Sequence, residues 1–118
     1  TQSKDIYGKQ LQSCSMDPVT GFYRDGYCKT GKDDSGTHTV CGRVTDDFLK
    51  YSKDKGNDLI TASGDHFPGL KNGDKWCLCA FRWKEAYDGG VAPLIDLEAT
   101  NKETLKYIKK GVLERYEE

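Results

Sequence analysis

The sequence lacks an excess of charge of either sign: 18 Lys plus Arg face 19 Asp plus Glu, for a net charge of −1. That balance excludes a nucleic-acid binder running on bulk positive charge and a polybasic membrane-surface protein. Both halves of the chain are balanced, and no charged tail exists beyond Glu117-Glu118. Long apolar runs are missing as well. The longest, Trp76-Cys77-Leu78-Cys79-Ala80-Phe81, falls far short of the roughly 20 residues of a membrane helix. Aliphatic residues are scarce, with Leu, Ile, Val and Phe supplying 22 of 118 positions. Such scarcity marks disorder only when net charge is high, which it is not. Internal repeats and low-complexity tracts are absent. So are an Asn-x-Ser/Thr acceptor, an apolar signal core at Thr1-Gln2-Ser3-Lys4, and an initiator Met. The first two absences favour free thiols in a reducing, cytoplasmic setting. The third leaves an organelle open for a chain that has lost a targeting peptide.

What is present is an aromatic set of seven Tyr, four Phe and two Trp, which replaces much of the missing aliphatic area. The length predicts one domain over residues 1–118. Residues 14–36 are dense in turn pairs, and Asp25-Gly26 between Phe22-Tyr23-Arg24 and Tyr27-Cys28-Lys29 predicts a hairpin. His38 to Arg43 reads as a short strand. Thr45 then caps a helix over Asp46–Lys55, with Asp46 and Asp47 at its positive end and Val44, Phe48 and Tyr51 on one stripe. Residues 57–74 read as loop, with Leu59-Ile60-Thr61 pairing briefly and Phe67 and Leu70 pinning it. Trp76–Phe81 reads as a central strand, with Cys77, Cys79 and Phe81 on one face. A short helix through Trp83, Ala86 and Tyr87 ends at Gly89-Gly90, and Leu94–Glu98 is the next strand. Thr100-Asn101-Lys102-Glu103 has the form of a capping box, opening one kinked helix or two split at Gly111. This order predicts an α+β single-domain two-layer sandwich: a small mixed β-sheet with helices packed on one face, and a loop-rich N-terminal half with a hairpin.

The chemistry-bearing residues are few. Gly26-x4-Gly31-Lys32 imitates a phosphate-binding loop, but Asp33 stands where Ser or Thr is needed and would repel phosphate. The five cysteines are Cys14, Cys28, Cys41, Cys77 and Cys79, an odd number, so at least one thiol lies outside any internal disulfide. Cys77 and Cys79 on one strand face could share a soft metal. Cys41 and one of Cys14, Cys28, His38 or His66 would complete a zinc tetrahedron. Core packing explains the same thiols, and so does redox activity. His38-x2-Cys41 faces opposite ways on a regular strand, so it works as a ligand pair only if the backbone turns there. Arg24, Asp25 and Asp74 are candidates for polar contacts to a ligand, with turn capping and surface ion pairs as the alternative. Trp76 and Trp83 read as core anchors.

Ordered segments along nearly the whole chain carry a family resemblance. They are Asp17-Pro18-x-Thr20-Gly21-Phe22-x-Arg24-Asp25-Gly26-x-Cys28, His38-Thr39-Val40-Cys41, Gly56-Asn57-Asp58-Leu59, Phe67-Pro68-Gly69-Leu70, Gly73-Asp74-x-Trp76-Cys77-Leu78-Cys79-Ala80-x-Arg82-Trp83-x-Glu85-Ala86, Ala92-Pro93 and Leu97-Glu98-Ala99-Thr100. The sequence resembles the family called domain of unknown function 2237, small stand-alone proteins mostly of bacteria with some members in photosynthetic eukaryotes. The resemblance implies one α+β domain, makes the five cysteine positions part of the family pattern, and supplies no reaction. Gly42 stands where Ala is usual and Asn101 where His is frequent, which weakens a metal role at the end of the last strand. Three readings stay open. One is a binding domain whose site holds zinc or a small ligand, with Arg24, Asp25, Asp74, Cys77 and Cys79 as ligand contacts and Cys28, His38, Cys41, Cys77 and Cys79 as metal ligands. The second is a non-catalytic module, with a small ligand or a protein as partner and structural thiols. The third is a thiol redox protein or enzyme. Neither nucleic acid nor membrane is an expected partner.

Overall fold

A computed structural model gives the fold and describes residues 3–17, 19–32, 34, 37–61 and 69–118. Strand β1 (His38–Arg43) leads through Thr45 into helix α1 (Asp46–Asp54). The Thr45 side chain accepts the Phe48 amide, and Asp46 and Asp47 occupy the first turn, as the sequence predicts. Strand β2 (Lys75–Cys79) runs directly into helix α2 (Ala80–Asp88). Strand β3 (Leu94–Ile95), two 3₁₀ turns (Leu97–Ala99 and Lys102–Lys106) and helix α3 (Lys110–Arg115) follow.

The sheet order is β2-β1-β3, and both pairings are antiparallel. The expected mixed sheet is therefore antiparallel in its strands; among the described residues, parallel pairing is confined to the isolated Ile95–Glu117 bridge. On one face Val40 and Leu78 meet Phe48 and Leu49 of α1, Trp83 and Ala86 of α2, and Leu113 of α3 in one core. Trp83 is fully buried and donates its indole N–H to the Pro93 carbonyl. Tyr87 stacks on it, and Tyr116 meets it edge-on. These rings supply the apolar area that the aliphatic count leaves short. The opposite face carries Cys41 beside Cys77 and is covered by the N-terminal chain.

Several local expectations shift. Phe22–Arg24 and Tyr27–Lys29 do not pair across Asp25-Gly26. Gly26 instead bonds back to the Thr20 carbonyl, and the tight antiparallel bridge here joins Met16 to Val19. The reason is packing: Gly26, at φ 88°, lies against Met16 and Ser15 with no room for a side chain. The strand expected through Phe81 stops at Cys79, and Phe81 turns outward on α2, 66% exposed. Leu94–Glu98 is a strand only over Leu94–Ile95 before it tightens into a 3₁₀ turn. The cap of the following turn moves one residue on: the Asn101 side chain accepts the Glu103 amide. Thr100 has another task, because its hydroxyl accepts the Cys41 amide and donates to the Asp96 carbonyl. The C-terminal break falls between Lys106 and Lys110, with Gly111 inside α3. Among the described residues Leu59-Ile60-Thr61 pairs with no strand; the Leu59 carbonyl instead accepts the Leu70 amide within the same loop. His66 and Phe67 lie outside the described residues.

Candidate functional site

The N-terminal chain has no strand or helix of its own among its described residues, so its position rests on a few strong ties. Cys14 is joined to Cys41 and Cys28 to Cys77 by disulfides. Cys41 and Cys77 are cross-strand partners, so the two links sit side by side. The sulfurs of Cys14, Cys28 and Cys77 all lie within 4.8 Å of one another, and the four residues are buried with Ala99. Two buried hydrogen bonds add to the covalent ties: the Cys77 amide donates to the Thr20 hydroxyl at 2.8 Å, and the Asn101 side-chain amide donates to the Cys28 carbonyl. The free thiols expected at Cys14, Cys28, Cys41 and Cys77 are thus paired, and Cys79 is the free cysteine.

Where the pinned chain meets β2, a cleft opens. Its larger lobe, about 540 Å³, is lined by Gly21, Phe22, Arg24, His38, Asp58, Leu59, Trp76 and Cys77. A smaller lobe of about 210 Å³ shares His38, Leu59, Trp76 and Cys77 and adds Asn57, Leu78, Cys79 and Arg82. The Arg24 guanidinium lies 5.1 Å from the centre of the Trp76 ring, a cation–π distance. One of its nitrogens also donates to the Gly21 carbonyl at 2.7 Å. Arg24 takes φ 54°, the left-handed region that non-glycine residues seldom visit, so the turn itself aims this cation at the cleft. The carboxylate of Asp58 is occupied by the amides of Ile60 and Thr61, which hold it below the usual carboxylate range together with the Thr61 hydroxyl as the leading cause.

His38 stands on the cleft wall, joined to the buried Asp34. Its Nδ1 lies 2.6 Å from one Asp34 carboxylate oxygen, and its backbone amide and the Thr30 hydroxyl donate to the other. Burial pushes the Asp34 carboxyl up, but the hydrogen bonds from His38 and Thr30 outweigh it and hold the group below its ordinary value. A register shift between His38 and Val40 sets His38 opposite Cys79. Cys77 and Cys79 alternate onto one face, and their partners Cys41 and His38 share it. The turn that the His38-x2-Cys41 spacing requires is this bulge.

The candidate residues divide accordingly. Arg24, His38, Cys77 and Cys79 line the cleft. Cys28, Cys41 and Cys77 belong to the sulfur cluster, whereas His38 and Cys79 stand outside it. Asp25 accepts the Tyr27 amide and pairs with Lys29, and Asp74 accepts the Lys71 amide at the turn into β2; both serve turns away from the cleft. Phe22 and Leu59 fall in the family segments without a role of their own, and Asp34 falls in none, although an Asp four residues before a His on a turn is the signal that would have found it.

Fold and site together define a small α+β protein with a disulfide-pinned N-terminal chain and an open cleft beside it. The chain belongs to the DUF2237 family, described as an uncharacterized protein conserved in bacteria, whose profile matches residues 4–117. No curated protein matches it. No helix among the described residues is long and apolar enough to cross a membrane.

Proposed function

We propose that this is a one-domain binding protein whose cleft takes a small anion with a flat apolar body. The observation that carries the reading is the Arg24 cation held over Trp76 at the cleft. Arg24, Arg82 and His38 supply donors, while Phe22, Leu59 and Trp76 supply apolar walls. Among the described residues the one carboxylate on the wall, Asp58, is engaged in its own turn. Two disulfides favour an oxidising setting over the cytoplasm expected from the sequence.

The test is a fluorescence and NMR titration with benzoate and 2-naphthoate, with benzyl alcohol as the neutral control. Trp76 reports from the cleft, and fully buried Trp83 is the reference. The carboxylates should perturb Trp76 with affinity near the millimolar range, about 4 kcal/mol, and Arg24→Ala should abolish the response. Equal responses to the acid and the alcohol, or none to either, would overturn the reading.

A second reading rests on the sulfur cluster. Three sulfurs already lie within 4.8 Å of one another, with Cys41 bonded to one of them. A Zn(Cys)₄ tetrahedron with bonds of about 2.3 Å places its sulfurs roughly 3.8 Å apart. Reduction of both disulfides would leave four thiolates (Cys14, Cys28, Cys41 and Cys77) able to hold zinc once the two bonded pairs open to that spacing. Uptake of one zinc per chain after reduction, lost in Cys28→Ser, supports this reading; a reduced chain without metal affinity sinks it.

A further inference from the structure

We infer that Cys79 is the attacking thiol of a thiol–disulfide exchange site, with His38 as its base and Asp34 as the residue that positions the imidazole. The exchange partner is a small disulfide carrying carboxylates; that choice of partner rests on the anion reading of the cleft, whereas the thiol chemistry does not.

The geometry comes from the bulge in β1. It sets His38 directly opposite Cys79, both of which line the smaller lobe. Opposed residues of an antiparallel pair bring their Cβ atoms to roughly 5 Å, so rotation of the Cys79 side chain alone brings the thiol toward the held imidazole. The Asp34 carboxylate is fully buried and takes His38 Nδ1 at 2.6 Å, which leaves Nε2 for a proton in the cleft. Phe22 stacks over the ring with centroids 6.3 Å apart and limits its rotation. Thiol, imidazole and buried carboxylate in this order form the arrangement that activates a nucleophile. Cys79 is also the N-cap residue of the nine-residue helix α2, so charge developing on its sulfur meets the positive end of that helix. The substrate class follows from the sulfur inventory. Four cysteines have paired and the fifth is left over, half-buried in a cleft. A leftover thiol on a disulfide-bonded chain meets disulfides as its natural electrophile.

The step balances without a further reagent. His38 Nε2 takes the thiol proton, and the Cys79 sulfur attacks one sulfur of R–S–S–R. A new S–S bond forms between Cys79 and the attacked sulfur as the S–S bond of the substrate breaks, and the departing R–S⁻ takes the proton from the imidazolium. Cys79 is oxidised to a mixed disulfide and half of the substrate is reduced to a thiol; the reverse reaction with R–SH restores both.

The test uses the native chain with its disulfides intact. Two probes are followed by stopped flow from pH 5 to 9: the dianionic 5,5′-dithiobis(2-nitrobenzoate) and the neutral 2,2′-dithiodipyridine. One equivalent of thiol should be released per chain, mapped to Cys79 by mass and lost in Cys79→Ser. His38→Gln should slow both probes at least tenfold at pH 7 and remove one step from the pH profile; Asp34→Asn should move that step. The wild-type profile is a check independent of any variant's folding: two steps are expected, and a single free-thiol step overturns the base role. An unreactive Cys79, or a His38→Gln rate within twofold of wild type, overturns the proposal. Arg24→Ala separates the two readings. It should slow the dianion alone; equal effects on both probes refute the anionic substrate class, and with it the cleft reading, while His38 dependence still upholds the thiol site.

Discussion

Replacing Cys28 and Cys77 together by Ala removes the link that closes the longer loop, whose bonded cysteines have a sequence separation of 49. The chain-entropy relation for cross-links gives about 4 kcal/mol for a loop of this size. The Cys14–Cys41 link, with a separation of 27, gives about 3.5 kcal/mol by the same relation. The two loops interlace, so either link still restrains the segment shared with the other, and these figures are upper values. For a protein of this length each kcal/mol moves Tm by about 4 °C, so the Cys28→Ala/Cys77→Ala chain should melt roughly 10–15 °C lower. Urea unfolding followed by Trp83 fluorescence and by calorimetry gives the number. The loss should also be local, with amide exchange rising first in residues 11–31 while β1 and α2 stay protected. A Tm within about 3 °C of the wild type would refute the reasoning, since the Cys14–Cys41 link and the hydrogen bonds would then suffice to hold the N-terminal chain.

Three further outcomes follow from single residues. Thr20→Val removes the acceptor of the buried Cys77 amide and should cost about 1–3 kcal/mol in urea unfolding, whereas Thr20→Ser should cost less than 1 kcal/mol. Gly21→Ala forces a Cβ onto the Tyr27 carbonyl at φ 101° and should destabilise by at least about 2 kcal/mol while weakening any ligand response of the cleft. The Asp34 carboxyl is held below its ordinary value, so it contributes stability above the usual carboxylate range that is lost as pH falls through that range toward its folded value. Urea midpoints measured from pH 6 to 3 should therefore fall less steeply in Asp34→Asn than in the wild type.

Local signals carried the fold well. The Thr45 cap with two following aspartates placed α1, and the apolar run placed β2, because both are written in neighbouring residues. Signals that depend on distant partners were misplaced. Thr100 looked like a cap, but the Cys41 amide, 59 residues away, claims its hydroxyl and passes the cap to Asn101. Asp25-Gly26 carries hairpin chemistry, yet the close approach of Gly26 to Ser15 and Met16 decides that loop. The site divides in the same way. Cys77, Cys79, His38 and Arg24 were visible as residue types, but which cysteines pair depends on a register that no spacing states. The bulge between His38 and Val40 turns a histidine that a regular strand would point away toward Cys79, and Asp34 gains its meaning only through that histidine.

The pinning of the N-terminal chain by two disulfides makes the cleft and leaves one thiol beside His38. Peptide mapping of the unreduced protein, with thiols counted after unfolding, tests this directly. The account predicts one thiol, at Cys79, with Cys14 linked to Cys41 and Cys28 to Cys77. Five free thiols, or any link that includes Cys79, would contradict it.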